Sequence, residues 1–188
     1  MKQIAIALFS LLATASVMSQ QPSSTSQQTS PSAGTSNPVV SAARQMEERF
    51  AKNLIGAANT MPAEKYSYRP TPEQITFAHL MMHSAQANNA LCAAIAGQPP
   101  KDVKLNESDS KDVLAKAVQD SFTYCEQVLS SADDSSLAQS FTLGSQTGTR
   151  ASALLRLVAG WSDHYGAAAM YLRLNNLLPP SASKPDKH

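Results

Sequence analysis

The segment that most constrains the fold is WSDHYGAAAMYLRLNNLLPP, which starts at Trp161 and ends in a double proline. In and before it, apolar side chains recur at steps of three and four residues, the spacing of one helical face. This stripe consists of Leu154, Val158, Trp161, Tyr165, Ala168 and Leu172. Proline cannot continue a helix, and threonine is a good N-cap residue. The sequence therefore predicts a long helix 4 that opens at Thr149, ends before Pro179 and carries His164 near its middle.

Two earlier segments have the same helical periodicity. Helix 1 is expected to begin near Pro38 and to end at Pro62. Thr71 and Pro72 have the pattern of an N-cap followed by proline at the first helical position, so they predict the start of helix 2. Gly97 and the two prolines that follow it predict the end of that helix.

Helix 3 is expected to start at an N-cap on Ser108 or Asp109 and to continue through a third amphipathic stripe. Residues 130–148 are rich in Ser, Thr, Gly and Asp, and their one apolar patch, from Leu137 to Leu143, indicates a single helical turn. Four long helices without a strand pattern predict an all-α four-helix bundle.

Length and charge limit the size of the core and the class of partner. A chain of 188 residues that is 43% hydrophobic can build one helical core, and we assign residues 38–180 to it. Once the leader that contains Lys2 is removed, basic and acidic residues are equal in number. An uncharged balance gives no electrostatic attraction to nucleic acid, so we expect no nucleic-acid partner.

The first residues, MKQIAIALFSLLATASVMSQ, have the layout of a secretory signal peptide. Lys2 precedes an apolar run from Ile4 to Ala13, which is too short to span a bilayer comfortably. We predict a signal peptide over residues 1–19 and export to the periplasm or beyond, with no membrane anchor after cleavage; a weak uncleaved anchor is the alternative. Residues 20–37 are predicted to be a disordered Ser/Thr/Gln/Pro linker, and residues 181–188 a disordered tail.

The two cysteines bear on the topology. If helices 2 and 3 formed a simple hairpin, Cys92 and Cys125 would differ in height by about 16 Å at 1.5 Å per residue. A connection that crosses the bundle makes these helices parallel and brings the two cysteines within about one turn of each other. Paired cysteines in an oxidising compartment are usually bonded, so we predict the disulfide and the crossover. Two buried free thiols are the alternative.

Histidine is the residue type here from which a site can be proposed. His83 and His164 lie near the middle of helices 2 and 4 on stripes of small residues, so they are expected to approach each other across the core. Two converging imidazoles are good ligands for a first-row metal ion. The alternative is a pair of hydrogen-bonded interfacial histidines. The sequence contains no glycine-rich phosphate loop and no nucleophile elbow.

Several segments resemble the DinB-like (DinB/YfiT) family of metal-binding four-helix bundles: MPAEKYSYRPTPEQ with FAHLMMH, SFTYCEQ, and HYGAAAMYLRLNNLLPP. The resemblance implies an up-down-down-up bundle that binds a divalent metal ion, zinc or nickel, through three histidines. His83 matches the ligand on helix 2, and His164 matches the second ligand of an HxxxH pair on helix 4. Gly160 occupies the position of the first ligand of that pair. His79, Asp163 or water are the candidates to replace it.

The resemblance also implies an activity class and partners. A metal-dependent hydrolase or a thiol-type transferase acting on a small-molecule substrate is the first hypothesis. Low-molecular-weight thiols are cytoplasmic in character, so predicted export argues against the transferase. The alternative is a non-catalytic helical binding or structural module that has lost the metal site. Pairing of two copies as a homodimer is a further expectation from the family.

Overall fold

The structure, a computed structural model, describes residues 37–182. Its four long helices are α1 (Pro38–Thr60), α2 (Phe77–Ala96), α3 (Lys111–Ser131) and α4 (Arg150–Leu174). No helix in this described part combines the length and apolarity that crossing a membrane requires. The predicted signal peptide, residues 20–36 of the predicted linker and residues 183–188 of the predicted tail lie outside the described residues.

The helix starts differ in part from those predicted. The prediction for α4 is confirmed, because the Ser152 N–H donates to Thr149 Oγ1 at 3.3 Å. The prediction for α2 is wrong: its N-cap is Thr76, whose Oγ1 accepts from the His79 N–H at 3.0 Å. The earlier Thr71-Pro72 pair forms a turn instead, a position that suits proline equally well.

Helix α3 also begins later than predicted. Its N-cap is Ser110, which accepts a hydrogen bond from the Val113 N–H at 3.4 Å. Asp109 instead accepts from the Asn106 N–H at 2.8 Å, inside the preceding loop. Serine and aspartate favour caps and turns for the same reason, a short side-chain acceptor, so neighbouring candidates compete for the two roles.

The connection between α3 and α4 contains a β-hairpin, which corrects the prediction of no strands. The helical turn predicted at Leu137–Leu143 is wrong over most of its length: a 3-10 helix covers Asp134–Ala138, and β1 (Ser140–Leu143) and β2 (Gln146–Thr149) follow it. The strands pair antiparallel, from Ser140 with Thr149 to Leu143 with Gln146. Gly144 turns the chain with a φ of 59°, a conformation that glycine adopts without strain.

Side-chain pairs between α2 and its neighbours establish the topology. Phe77 with Tyr171, and Asn88 with Trp161, advance along α2 while they recede along α4, so these two helices are antiparallel. The disulfide from Cys92 to α3, with a Cα–Cα distance of 5.4 Å, confirms the predicted bond.

Helices α2 and α3 are parallel, because Asn88 bonds to Ser121 at the same residue offset that separates Cys92 from Cys125. Helices α1 and α4 run in the other direction. Asp134, which precedes α4, contacts the start of α1, and Pro180, which follows α4, packs against Gly56 near its end. The up-down-down-up bundle with a crossover is therefore confirmed.

Asp134 holds the N-terminus of α1 from 95 residues away. Its two carboxylate oxygens accept from the Val39 and Val40 N–H groups, both at 2.9 Å. Asn37 returns the contact by accepting from the Asp134 N–H at 3.0 Å. These bonds satisfy donors that the helix itself cannot pair, and they place a negative charge at the positive end of the helix dipole.

We expect Asp134→Ala to lower the free energy of unfolding by about 1–2 kcal/mol, the usual cost of losing an N-cap acceptor. Urea unfolding followed by circular dichroism measures this change. Asp120→Ala is the matched control, because Asp120 pairs only with exposed Lys116 on α3, and its effect should stay within about 0.5 kcal/mol. Equal losses in the two variants would contradict the capping role.

Candidate functional site

The structure brings His83 of α2 and His164 of α4 together in the bundle. Their ring centroids are 5.0 Å apart, with the ring planes at 76°. The His164 side chain is buried, at 8% exposure, whereas His83 is exposed at the edge of the bundle. The pair therefore has one ring in the core and one ring open to solvent, as a site that receives a ligand from outside requires.

The environment of His164 favours its neutral form. Burial lowers the pKa of His164, and the neighbouring His83 lowers it further, while Asp163 acts in the opposite direction. Its Nδ1 atom is buried and has no hydrogen-bond partner among the described residues. A buried polar atom without a partner is costly, and a neutral imidazole nitrogen is the form that binds a metal ion.

Gly160 lies one turn before His164 and faces its ring. A Cβ atom built at this position would lie 3.7 Å from His164 Cε1, which is an ordinary van der Waals distance. A side chain at position 160 would thus start beside the imidazole ring of His164 without a clash. Because glycine has no side chain, α4 offers no metal ligand at position 160.

His79 is engaged in a different contact. Its Nδ1 lies 3.1 Å from Glu107 Oε2, and the Thr76 hydroxyl donates to Glu107 Oε1 at 2.6 Å. The Thr76 and His79 hydrogen bonds lower the pKa of Glu107. This cluster ties the loop before α3 to the start of α2. Sequence reasoning missed Glu107 because it lies 28 residues from its partner, in a loop without periodicity.

A polar network beside the histidines fixes how α4 lies against α2. Trp161 Nε1 donates to Asn88 Oδ1 at 2.8 Å, and Asn88 Nδ2 donates to Ser121 Oγ at 3.1 Å. All three side chains are buried. Sequence reasoning missed this positioning role; the available signal was an asparagine pair, Asn88 and Asn89, in a mostly apolar helix.

The two histidines fit part of a metal site. Two imidazoles bound to one tetrahedral metal ion, each at about 2.1 Å through nitrogen, have centroids about 5 Å apart. The observed 5.0 Å separation and the unpartnered Nδ1 of His164 agree with that geometry. Between residues 37 and 182, however, no three His, Cys, Asp or Glu side chains are grouped to hold a metal ion. The chain itself offers two ligands there.

A protein-family model matches most of this bundle. The sequence model of the DinB superfamily matches residues 47–166, a range that contains His83, Gly160 and His164. The chain belongs to the DinB superfamily. The predicted resemblance is therefore confirmed at the level of the family.

Solved structures share the DinB fold at low sequence identity. A DinB-like protein from Bacillus cereus is 15% identical, with a TM-score of 0.61 over 79% of this chain and 97% of that one. A conserved protein from Enterococcus faecalis is 16% identical, with a TM-score of 0.59 over 72% and 96%. A DinB-like protein from Bacillus subtilis is 17% identical, with a TM-score of 0.56 over 70% and 92%. No protein with a curated function matches this chain.

Proposed function

We propose that this DinB-superfamily protein binds a divalent metal ion, zinc or nickel, through His83 and His164. The observation that carries the proposal is the approach of the two ring centroids to 5.0 Å, together with a buried Nδ1 of His164 that has no partner among the described residues. Imidazole suits both metals, and the lowered pKa of His164 keeps this ring in its ligand form near neutral pH. Two protein ligands leave coordination positions open to water or to a substrate.

The reaction class that fits such a site is metal-dependent hydrolysis of a small-molecule substrate. A bound metal ion would lower the pKa of a water molecule bound to it, or of a bound thiol in a thiol-type transferase. Export, which we also propose, favours the hydrolase because small thiols are cytoplasmic in character. His83 and His164 hold the ion, and the Asn88 bond to Trp161 keeps α2 and α4 in register beside them.

A second candidate function is a non-catalytic helical binding or structural module. It is favoured by Gly160 at the position of the family's remaining ligand and by the lack of a three-donor group within residues 37–182. A two-ligand site binds metal less tightly than a complete triad, and a bundle can keep its fold without one. The two candidates differ in whether the purified protein takes up metal.

The deciding experiment is metal analysis of tag-free protein after incubation with zinc or nickel and removal of free ions. We expect close to one metal ion per chain in the wild type and none in the His83→Ala, His164→Ala double variant. His79→Ala is the matched control, because His79 contacts Glu107 instead of the pair, and it should keep its metal. A metal-free wild type would leave the non-catalytic module as the function.

Export and homodimer formation stay predictions. The N-terminal residue of the protein recovered from the host's extracytoplasmic fraction tests the first, since cleavage near residue 19 is expected. Light scattering of the purified bundle tests the second.

A further inference from the structure

Glu47 of α1 is a buried carboxyl group on the face that packs into the bundle. It is 7% exposed and shares its stripe with Ala43 and Phe50. No hydrogen bond or ion pair to it occurs among the described residues. Glutamate side chains are rarely this buried without a charged or hydrogen-bonding partner. The Glu47 oxygens are not among the fully buried unpartnered polar atoms of residues 37–182, so they keep contact with solvent and are open to a ligand.

Glu47 lines a pocket of about 450 Å³ beside α1 and α3. The other lining residues are Ser41, Arg44, Gln45, Glu48 and Glu126. Glu47 is the buried member of this set and forms the inner wall of the pocket. Ser41 is half-buried, and the other four lining residues are exposed. None of the described lining residues comes from α4. The pocket has three carboxyl groups and one guanidinium, an excess of negative charge.

The electrostatics of the pocket favour a positively charged ligand. Burial, together with the neighbouring carboxylates of Glu126 and Glu48, raises the pKa of Glu47 to about 7. Arg44 is the one positive side chain in the lining, and it makes no ion pair with Glu47. A positive group placed against Glu47 would offset both the lost hydration and the repulsion between carboxylates.

We propose that this pocket binds a small molecule that carries an ammonium group, with the buried Glu47 carboxylate as its counter-ion and Glu126 as a second acceptor. An ammonium group has three hydrogen-bond donors, and Ser41 Oγ and the Gln45 amide oxygen add neutral acceptors in the lining. A volume of about 450 Å³ suits a small organic ligand. A metal ion is the weaker choice, because no three acidic or imidazole groups in the described part are grouped to hold one.

Binding is coupled to a proton. Near pH 7 part of Glu47 carries a proton, and the carboxylic acid must release it to the solvent before the carboxylate can pair with the ammonium group. Affinity therefore rises with pH through the pKa of Glu47 and levels off above it. An alkyl ammonium group keeps its own charge until about pH 10.

The test is a calorimetric titration of the purified protein with butylamine and 1,4-diaminobutane at pH 5.5 and pH 8, with butanol as the neutral analogue. We expect saturable binding of both amines, about 30-fold tighter at pH 8, as ionisation of a group with a pKa near 7 requires. Butanol should not bind. The absence of saturable amine binding at pH 8 would overturn the proposal.

Two variants assign the binding to this pocket. Glu47→Gln keeps the shape of the side chain and removes its charge, so we expect at least a tenfold loss of amine affinity and no remaining pH dependence. Glu73→Gln, on an exposed turn away from the pocket, is the matched control and should bind as the wild type does. Where Glu47→Gln fails to fold by circular dichroism, Glu126→Gln replaces it, with a several-fold loss expected. Unchanged affinity in a folded pocket variant would overturn the proposal.

This site is independent of the histidine pair. The pocket lies against α1 and α3, whereas His83 and His164 belong to α2 and α4. Loss of metal uptake in the histidine variants therefore leaves amine binding unchanged, and the two proposals can fail separately.

Discussion

Gly160→His is expected to raise the affinity for zinc or nickel by about 100-fold, or about 2.8 kcal/mol. The new imidazole would start beside the His164 ring, where a Cβ atom lies 3.7 Å from Cε1. Residues four apart on a helix are neighbours, so the two side chains of α4 can chelate one ion. With His83 they complete three protein ligands. Competition with a chromophoric chelator measures the affinity.

Gly166→His is the matched control for this substitution. Gly166 lies on the same helix, is exposed, and a Cβ atom there would meet nothing within 4 Å. Both variants add one histidine to α4 and remove one helical glycine, so their helix propensities change alike. A similar gain in both variants, or none at position 160, would contradict the placement of a metal ion at the His83 and His164 pair.

Replacing both cysteines with alanine is expected to lower the free energy of unfolding by about 4 kcal/mol. The disulfide joins Cys92 to Cys125 across 33 residues of sequence, and closing a loop of this length in the unfolded chain accounts for a change of this size. Both cysteines are fully buried, so the alanine side chains that replace them gain no contact with water. Urea unfolding of the oxidised protein and of the variant measures the difference.

The reduced wild-type protein separates the cross-link from packing. It keeps both sulfur atoms in the core and loses only the bond, whereas the alanine variant loses both. We expect the reduced protein to lose most of the 4 kcal/mol and the variant slightly more. A reduced protein as stable as the oxidised one would show that the disulfide does not hold α2 and α3 together.

Local chemistry made much of the fold predictable. The N-cap at Thr149 and the proline-bounded helices are signals carried by a few adjacent residues, and the structure has them. The parallel arrangement of α2 and α3 followed from the positions of Cys92 and Cys125, because a cross-link excludes the simple hairpin. The later start of α2 and the hairpin around Gly144 were missed, since proline and glycine serve several kinds of turn.

The candidate site was predictable only for residues that lie on a periodic helix face. His83 and His164 lie on small-residue faces whose convergence a bundle requires. The contact of His79 with Glu107 depends on the path of a loop, which periodicity does not describe. Glu47 was missed because a helical stripe is traced through apolar residues, and its half-buried neighbour Met46 fits the apolar periodicity of helix 1. A shift of one residue along a helix moves a side chain from the surface to the core.

The most direct test of the two-histidine site is a titration of zinc into protein labelled with 15N-histidine, followed by NMR of the ring nitrogens. The expected result is a joint shift of the His83 and His164 resonances that saturates at one equivalent, while the His79 resonances stay in place. Ring nitrogens of His83 and His164 that do not respond to one equivalent of zinc would contradict the proposed site.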